Sequence, residues 1–315
     1  MAGLNLVAVG SALPRTVVTN RDLSERVDTS DEWITSRTGI KQRYFCTQGE
    51  TATTLAIAAA QDVLANSEVQ PCDIGCIICA TLSNDTATPS MACKVQAAIG
   101  AAEDIPALDL NAACSGFLYG VAVADGLLRF SHRKYALVIG CEQLSRLLDM
   151  TDRNTCVLFG DGAGAALLRQ EQTADFAVCM GARGDDAIYC KGAGHADAFI
   201  QMDGRAVFRF AVEAVPKTIQ QILSDTALTL EEIDWVVCHQ ANERIIDHCV
   251  KKLKANPEQF YKNMSRYGNT SAASIPMALA EMQANGLLQS GQRVLCVGFG
   301  GGLSWAGALL SVKGV

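Results

Sequence analysis

The sequence predicts an α/β protein in which one unit of strands and helices occurs twice. Three observations carry this. Apolar, strand-like runs alternate with helix-like segments along most of the chain. The second half repeats the order of the first, and two glycine-rich endings, FGDGAGAALL (159–168) and FGGGLSWAGALL (299–310), echo each other. A chain of 315 residues also suits a duplicated unit better than one small domain.

Taken in order, MAGLNLVAVGSALP reads as a first strand; its apolar run is short and lacks the basic flank of a signal peptide. TATTLAIAAAQDVLANS (51–67) predicts a helix, IGCIICATL (74–82) a buried strand, and SMACKVQAAIG (90–100) a helix. ALDLNAA (107–113) reads as a strand, FLYGVAVADGLLRF (117–130) as a helix, and YALVIGCEQL (135–144) as a strand. CVLFGDGAGAALL (156–168) turns on glycines into a closing apolar strand. A seam at the polar RQEQTAD (169–175) divides the chain into halves 1–169 and 170–315. VPKTIQQILSDTAL (215–228) then predicts a helix and IDWVVCHQ (233–240) a strand. SIPMALAEMQANGLL (274–288) is a helix again, and RVLCVGF (293–299) a strand running into the last glycine turn. The alternation predicts helices layered on mostly parallel, buried strands.

Composition narrows the class. Hydrophobic residues at 49% and charged residues at 19% describe a compact enzyme, not a disordered chain. A net charge of −7 argues against nucleic acid as the main partner, while leaving room for a local basic patch. Val294 to Val312 is 19 residues without a charge, but five glycines interrupt it, so two strands about a turn are expected rather than a membrane span. With no secretory signal, a cytoplasmic chain with 13 reduced cysteines is expected. Cys76 and Cys79 form a CxxC, yet on a strand residues three apart point to opposite faces, which speaks against a metal site. GDGAG and GFGGG lead into strands rather than helices, so neither reads as a dinucleotide loop.

Three stretches carry chemistry. In NAACSGFLYG (111–120), Cys114 sits where a strand gives way to a helix, and free N–H groups at a helix start favour a thiolate. Position alone does not separate this from a buried core cysteine. In VVCHQANERI (236–245), His239 ends a strand, placed to exchange protons or donate to an oxyanion, or simply satisfied there. In SRYGNTSAASIP (265–276), Asn269 precedes a helix, and by the internal repeat takes roughly the place of Cys114 in the second half. Its amide is a fixed, uncharged donor, although Gly-Asn is also ordinary turn chemistry.

Together NAACSGFLYG, HQAN, YGNTSAAS, FGDGAGA and GFGGGLSWAG, with DEWITSRTGIKQR (31–43) and TDRNT (151–155), resemble the β-ketoacyl-ACP synthase III family of the thiolase superfamily. The resemblance runs nearly end to end and implies a duplicated five-layered αβαβα sandwich, thiolase-like in each half. It implies an initiating condensing enzyme of fatty-acid synthesis, with Cys114 as acyl acceptor and His239 and Asn269 completing a triad. It further implies an oxyanion hole from the Cys114 N–H and Gly301, and Phe208 beside the malonyl carboxylate. Trp33 and Arg153 would sandwich the CoA adenine, with Arg37 and Thr38 nearby. Acyl carrier protein would dock on Arg209, Arg244, Lys251 and Lys252, with His248 on the same helix face. A homodimer is implied, and no metal, flavin or nicotinamide. Where many relatives have a bulky aromatic closing the acyl pocket across the dimer, this chain has Thr88, which implies room for longer or branched primers.

Related classes differ at readable positions. Degradative thiolases have a second cysteine in the last glycine loop, and GFGGGLSW has none. Elongating synthases use two histidines in place of His239 and Asn269. Hydroxymethylglutaryl-CoA synthases add a glutamate where Ala112 and Ala113 stand here. The rival expectations are a priming ketosynthase or acyltransferase of a polyketide or specialised pathway and a non-catalytic acyl-binding subunit. A cysteine hydrolase lacks an evident group to activate water.

Overall fold

A computed structural model describes residues 3–172, 175–192, 195 and 197–314. The expected seam at 169–175 therefore lies partly outside the described residues, as do Met1 and Ala2 of the first strand. In chain order the main elements are β1 (Gly3–Ala12), α1 (Asp31–Thr38), α2 (Ala52–Ala65), β2 (Ile74–Ala80), α3 (Met91–Ile99), β3 (Ala107–Leu110), α4 (Gly116–Leu128), β4 (Tyr135–Glu142) and β5 (Gly162–Glu171). Then come β6 (Ala177–Asp185), α5 (Gly204–Thr226), β7 (Trp235–Cys238), α6 (Glu243–Leu253), α7 (Ser274–Ala284), β8 (Arg293–Gly300) and β9 (Gly302–Val312).

The repeat is visible strand by strand. In the first half β2 pairs β4 in parallel, β4 pairs β5 antiparallel, and β5 pairs β1 antiparallel. In the second half β7 pairs β8 in parallel, β8 pairs β9 antiparallel, and β9 pairs β6 antiparallel. The two sheets join where β1 runs briefly parallel to β9, Asn5 opposite Ser311 and Leu6 opposite Val312. The expectation of mostly parallel strands needs correction, since each closing strand is antiparallel. The echoed glycine endings explain this: no helix intervenes before β5 or β9, and a parallel return requires such a crossover.

Side-chain alternation sorts the layers. Cys76 and Ile78 of β2, Ala136 and Val138 of β4, and Cys296, Ala306 and Ala308 of the second sheet share one buried cluster with α4 and α7. The alternate residues face outward: Ile77 and Cys79 pack with α2 and α3, while Val236 and Leu295 pack with α5 and α6. The order is helices, sheet, helices, sheet, helices. Cys76 and Cys79 do point to opposite faces. Phe117, Leu118, Val121 and Leu128 anchor α4 between the sheets, each burial stabilising by about 1.5–3 kcal/mol. That packing fixes the helix start where Cys114 stands.

Helix α5 begins at Gly204, well before the expected 215–228, and carries Pro216 in its interior. Proline cannot bond the carbonyl four residues back, which ordinarily breaks a helix. Here that carbonyl, on Val212, accepts from Lys252 Nζ at 3.2 Å. An ammonium from α6 replaces the missing donor.

Candidate active site

Cys114 is positioned by a strained turn. After β3, Asn111 Oδ1 accepts from the Ala113 N–H at 3.0 Å, Ala113 adopts φ 47°, and a 3₁₀ turn over Ala113–Ser115 leads into α4. The second half repeats the device. Asn269 Oδ1 accepts from the Ser271 N–H at 2.9 Å, Ser271 adopts φ 48°, and Ser271–Ala273 lead into α7. Asn269 is thus the counterpart of Asn111, and Cys114 that of Ala272. The expected equivalence of Cys114 and Asn269 was out of register by three residues. Aligning NAACSG with NTSAAS asparagine on asparagine would have found it.

Burial governs the ionisation of Cys114. The residue is 8% exposed, and burial pushes the thiol up to about 12, with Glu142 adding to the rise and Ser271 opposing it. Burial thus opposes the ionisation that the N–H groups at the helix start favour.

His239 follows β7, its N–H held by the Val297 carbonyl at 2.8 Å. Its ring Nδ1 lies 2.7 Å from Ser274 Oγ, and the Phe299 ring stands edge-on at 5.2 Å. Burial drops its pKa to about 3, so the imidazole is neutral near pH 7. The Gln240 N–H also donates to Ser274 Oγ, at 3.4 Å. That donor occupies an acceptor site on the hydroxyl and favours its proton pointing to Nδ1, which leaves the ring proton on Nε2. The same logic orients Asn269: with Oδ1 held by Ser271, its amide NH₂ is the group free to donate.

Cys114, His239 and Asn269 line one cavity of about 1040 Å³, together with Gly301, Phe208, Trp33, Arg37 and Thr38. Gly300 and Gly301 form its floor: a Cβ on Gly300 would come within 2.7 Å of the Cys114 backbone nitrogen. The Thr38 hydroxyl is buried and donates to the Ile34 carbonyl at 2.7 Å, so it shapes the wall rather than offering a free donor. Arg37 and Arg153 both lie over the Trp33 ring, at 4.8 and 4.9 Å. Arg153 also donates to the Asp28 carbonyl at 2.8 Å, so the expected adenine slot between Trp33 and Arg153 is filled by the guanidinium itself. Asn242 caps α6 and donates to the Arg37 carbonyl at 3.0 Å, tying HQAN to the helix that carries Trp33.

Of the basic row, Arg209, Arg244, His248, Lys251 and Lys252 are exposed. Arg244 stacks over Phe208 at 5.7 Å, at the cavity, whereas Lys252 is engaged by the Val212 carbonyl. Thr88 is exposed and lies outside the lining of this chain's own cavity. The sequence reading missed Phe299 and Ser274 beside His239, Ser271 beside Cys114, and Glu142. A carboxylate ending the apolar run YALVIGCE was the available signal for Glu142.

Two family models match, described as 3-oxoacyl-[acyl-carrier-protein (ACP)] synthase III over residues 108–184 and its C-terminal part over residues 223–312. The beta-ketoacyl-[acyl-carrier-protein] synthase III of Clostridium acetobutylicum is 43% identical, covering 98% of this chain and 99% of that protein. The crystal structure of the 3-oxoacyl-[acyl-carrier-protein] synthase III of Aquifex aeolicus superposes with a TM-score of 0.92 at 40% identity, covering 98% of this chain and 100% of that one. The priming beta-ketosynthase from the R1128 polyketide biosynthetic pathway also superposes at 0.92, but at 31% identity, covering 99% and 96%. With identity of this extent along the whole chain, and with two thiolase-like halves stacked in five layers, the chain belongs to the 3-oxoacyl-[acyl-carrier-protein] synthase III family.

Proposed function

We propose that this chain is the initiating condensing enzyme of type II fatty-acid synthesis. It transfers an acyl group from acyl-CoA to Cys114, then condenses it with malonyl-ACP, releasing CO₂. The observation that carries this is the convergence of Cys114, His239 and Asn269 on one cavity that also reaches Trp33 and Arg37.

In acylation, Cys114 Sγ attacks the thioester carbon, and the oxyanion is held by the Cys114 and Gly301 N–H groups. In condensation, loss of CO₂ from the malonyl group leaves an enolate. His239 Nε2–H and the Asn269 amide are both neutral donors, so they hold the enolate oxygen without protonating it. Phe299 supplies the apolar wall nearest His239, and Phe208 extends that wall toward Arg244. The enolate carbon then attacks the acyl-Cys114 carbonyl. These steps draw on the chain's own donors and two thioesters, with no metal, flavin or nicotinamide chemistry in them.

CoA enters past Trp33 once Arg153 swings from its ring, and the carrier protein docks at Arg209, Arg244 and Lys251. The open edge strand β3 supports a homodimer, with Thr88 brought to the partner's acyl pocket across the twofold. Retention of the nucleophile speaks against a non-catalytic subunit. None of the described helices is long and apolar enough to cross a membrane.

Intact-mass analysis after incubation with acetyl-, isobutyryl- and octanoyl-CoA tests this. One acyl adduct is expected, absent in Cys114→Ala and discharged by malonyl-ACP. No adduct from any of the three would overturn the reading.

A further inference from the structure

Glu142 ends β4 with no solvent exposure. Its oxygens accept from Ser83 Oγ at 2.5 Å, from the Leu82 N–H at 3.2 Å and from Thr81 Oγ1 at 3.3 Å. The steps above make no use of it. On its other side stands Ser271, whose hydroxyl is buried without a partner at hydrogen-bond distance among the described residues; the Ser271–Ala273 turn that carries it packs both on the strand ending at Glu142 and on the turn carrying Cys114. A thiol, an uncommitted hydroxyl and a carboxylate therefore form a file leading away from the cavity. By the internal repeat, the strand end equivalent to Glu142 is Gly300 on β8, which packs on Cys114 directly.

The thiol needs such a file. It must lose a proton to become a nucleophile, and His239 is poorly placed to take it, since burial disfavours its cationic form and Nδ1 is held by Ser274. We propose that Glu142 stores the Cys114 proton, relayed through Ser271, for the lifetime of the acyl-enzyme. The inference rests on the acyl-transfer reading of Cys114 and goes beyond it by assigning the proton.

In acylation the Sγ proton passes to Ser271 Oγ as the Ser271 proton passes to Glu142. Sγ bonds to the acyl carbon, the bond from that carbon to the CoA sulfur breaks, and the CoA thiolate takes a proton from water. In condensation the carbon–carbon bond forms, the acyl–Sγ bond breaks, and the relay runs backward to return the proton to Sγ. The cycle consumes one proton from water, the one that converts CoA thiolate to thiol.

The groups bearing on the charge of Glu142 are the Thr81 and Ser83 hydroxyls and the Leu82 N–H after β2, Ser271 before α7, and the Cys114 and Cys141 thiols. The Arg146 guanidinium on the same wall is engaged by Asp85 and by the Ser83 and Asn84 carbonyls. Burial holds the Glu142 carboxyl up at about 7, suited to gaining and losing a proton near neutrality.

The test is the rate of adduct formation on Cys114 from acetyl-CoA, followed by intact mass across pH in the parent, Ser271→Ala, Glu142→Gln and Glu142→Asp. The parent rate should rise with pH through neutrality. Ser271→Ala and Glu142→Gln should be slower by at least about tenfold near neutral pH, lose that rise, and recover in alkali, with KM for acetyl-CoA unchanged. Glu142→Asp should restore part of the rate. Parent-like rates, within about twofold, and a parent-like pH profile in either variant would overturn the relay while leaving the acyl transfer intact. Ser271→Ala removes a single oxygen and decides the matter even where Glu142→Gln fails to fold. A parent that forms no adduct overturns the acyl-transfer reading itself, and the relay with it.

Discussion

Gly300 packs directly against Cys114: a Cβ on Gly300 would stand 2.7 Å from the Cys114 nitrogen and 2.9 Å from its Cβ. Both neighbours are core backbone or its first carbon, so neither can swing aside. Gly300→Ala should shift the Cys114 N–H relative to the Gly301 N–H and, on the proposed mechanism, cut acylation by about 10²-fold or more, comparable to losing an oxyanion donor. Overpacking should also cost about 1–3 kcal/mol of stability. Adduct formation and a thermal melt measure the two effects separately. Acylation at the parent rate would show that the turn yields and the contact is not critical.

Glu142 should make stability fall as pH rises. Its folded pKa, about 7, lies above the usual 4.5, so its contribution is fully present below 4.5 and lost as pH rises through 7. Glu142→Gln removes that loss. The difference between variant and parent should shift in favour of the variant by up to about 3 kcal/mol between pH 4.5 and 8. His239 slopes the other way, its lowered pKa costing stability below about 6.5, but that term is common to both proteins and cancels. Urea unfolding at matched pH checks this, and a flat difference would count against a buried, proton-holding Glu142.

Trp33 should matter for CoA binding more than for chemistry. With Arg37 and Arg153 on its ring, Trp33→Ala removes a stacking surface and should raise KM for acetyl-CoA about five- to twentyfold with kcat little changed. Steady-state kinetics decide it. A fall in kcat at unchanged KM would place Trp33 in the chemical step instead.

The basic row proposed for carrier docking separates into two kinds of residue. Arg244→Glu should raise KM for malonyl-ACP, more so at low salt, while leaving adduct formation from acetyl-CoA near parent levels. Lys252→Glu should behave differently. It removes the donor to the Val212 carbonyl beside Pro216 and should lower the melting temperature. Equal loss of both half-reactions in Arg244→Glu would show that it is not a docking residue.

Thr88→Phe should restrict the primer. If Thr88 closes the partner's pocket, the substitution should depress octanoyl-CoA use relative to acetyl-CoA by about tenfold or more. Unchanged selectivity would mean that Thr88 never reaches an acyl chain, as its exposure in the single chain permits.

Much was legible in the order of residues. The alternation of strands and helices, the echo of the glycine endings, and the placement of Cys114, His239 and Asn269 at element ends are local or periodic features. Chain chemistry alone decides such features. The tertiary structure decided what depends on residues far apart in sequence. Helix α5 passes through Pro216 because Lys252 on another helix supplies the missing donor. Burial pushes the Cys114 thiol up against the pull of the helix start because packing around it removes water. The turn carrying Ser271 packs on the strand ending at Glu142 and on the turn carrying Cys114 only because the two halves fold face to face across the central helices, bringing strand ends and helix starts of different halves together. The sequence by itself singled out Cys114, His239 and Asn269 as the candidates for the chemistry. Their charge states, and the path open to the proton, were set by desolvation and by contacts across the repeat.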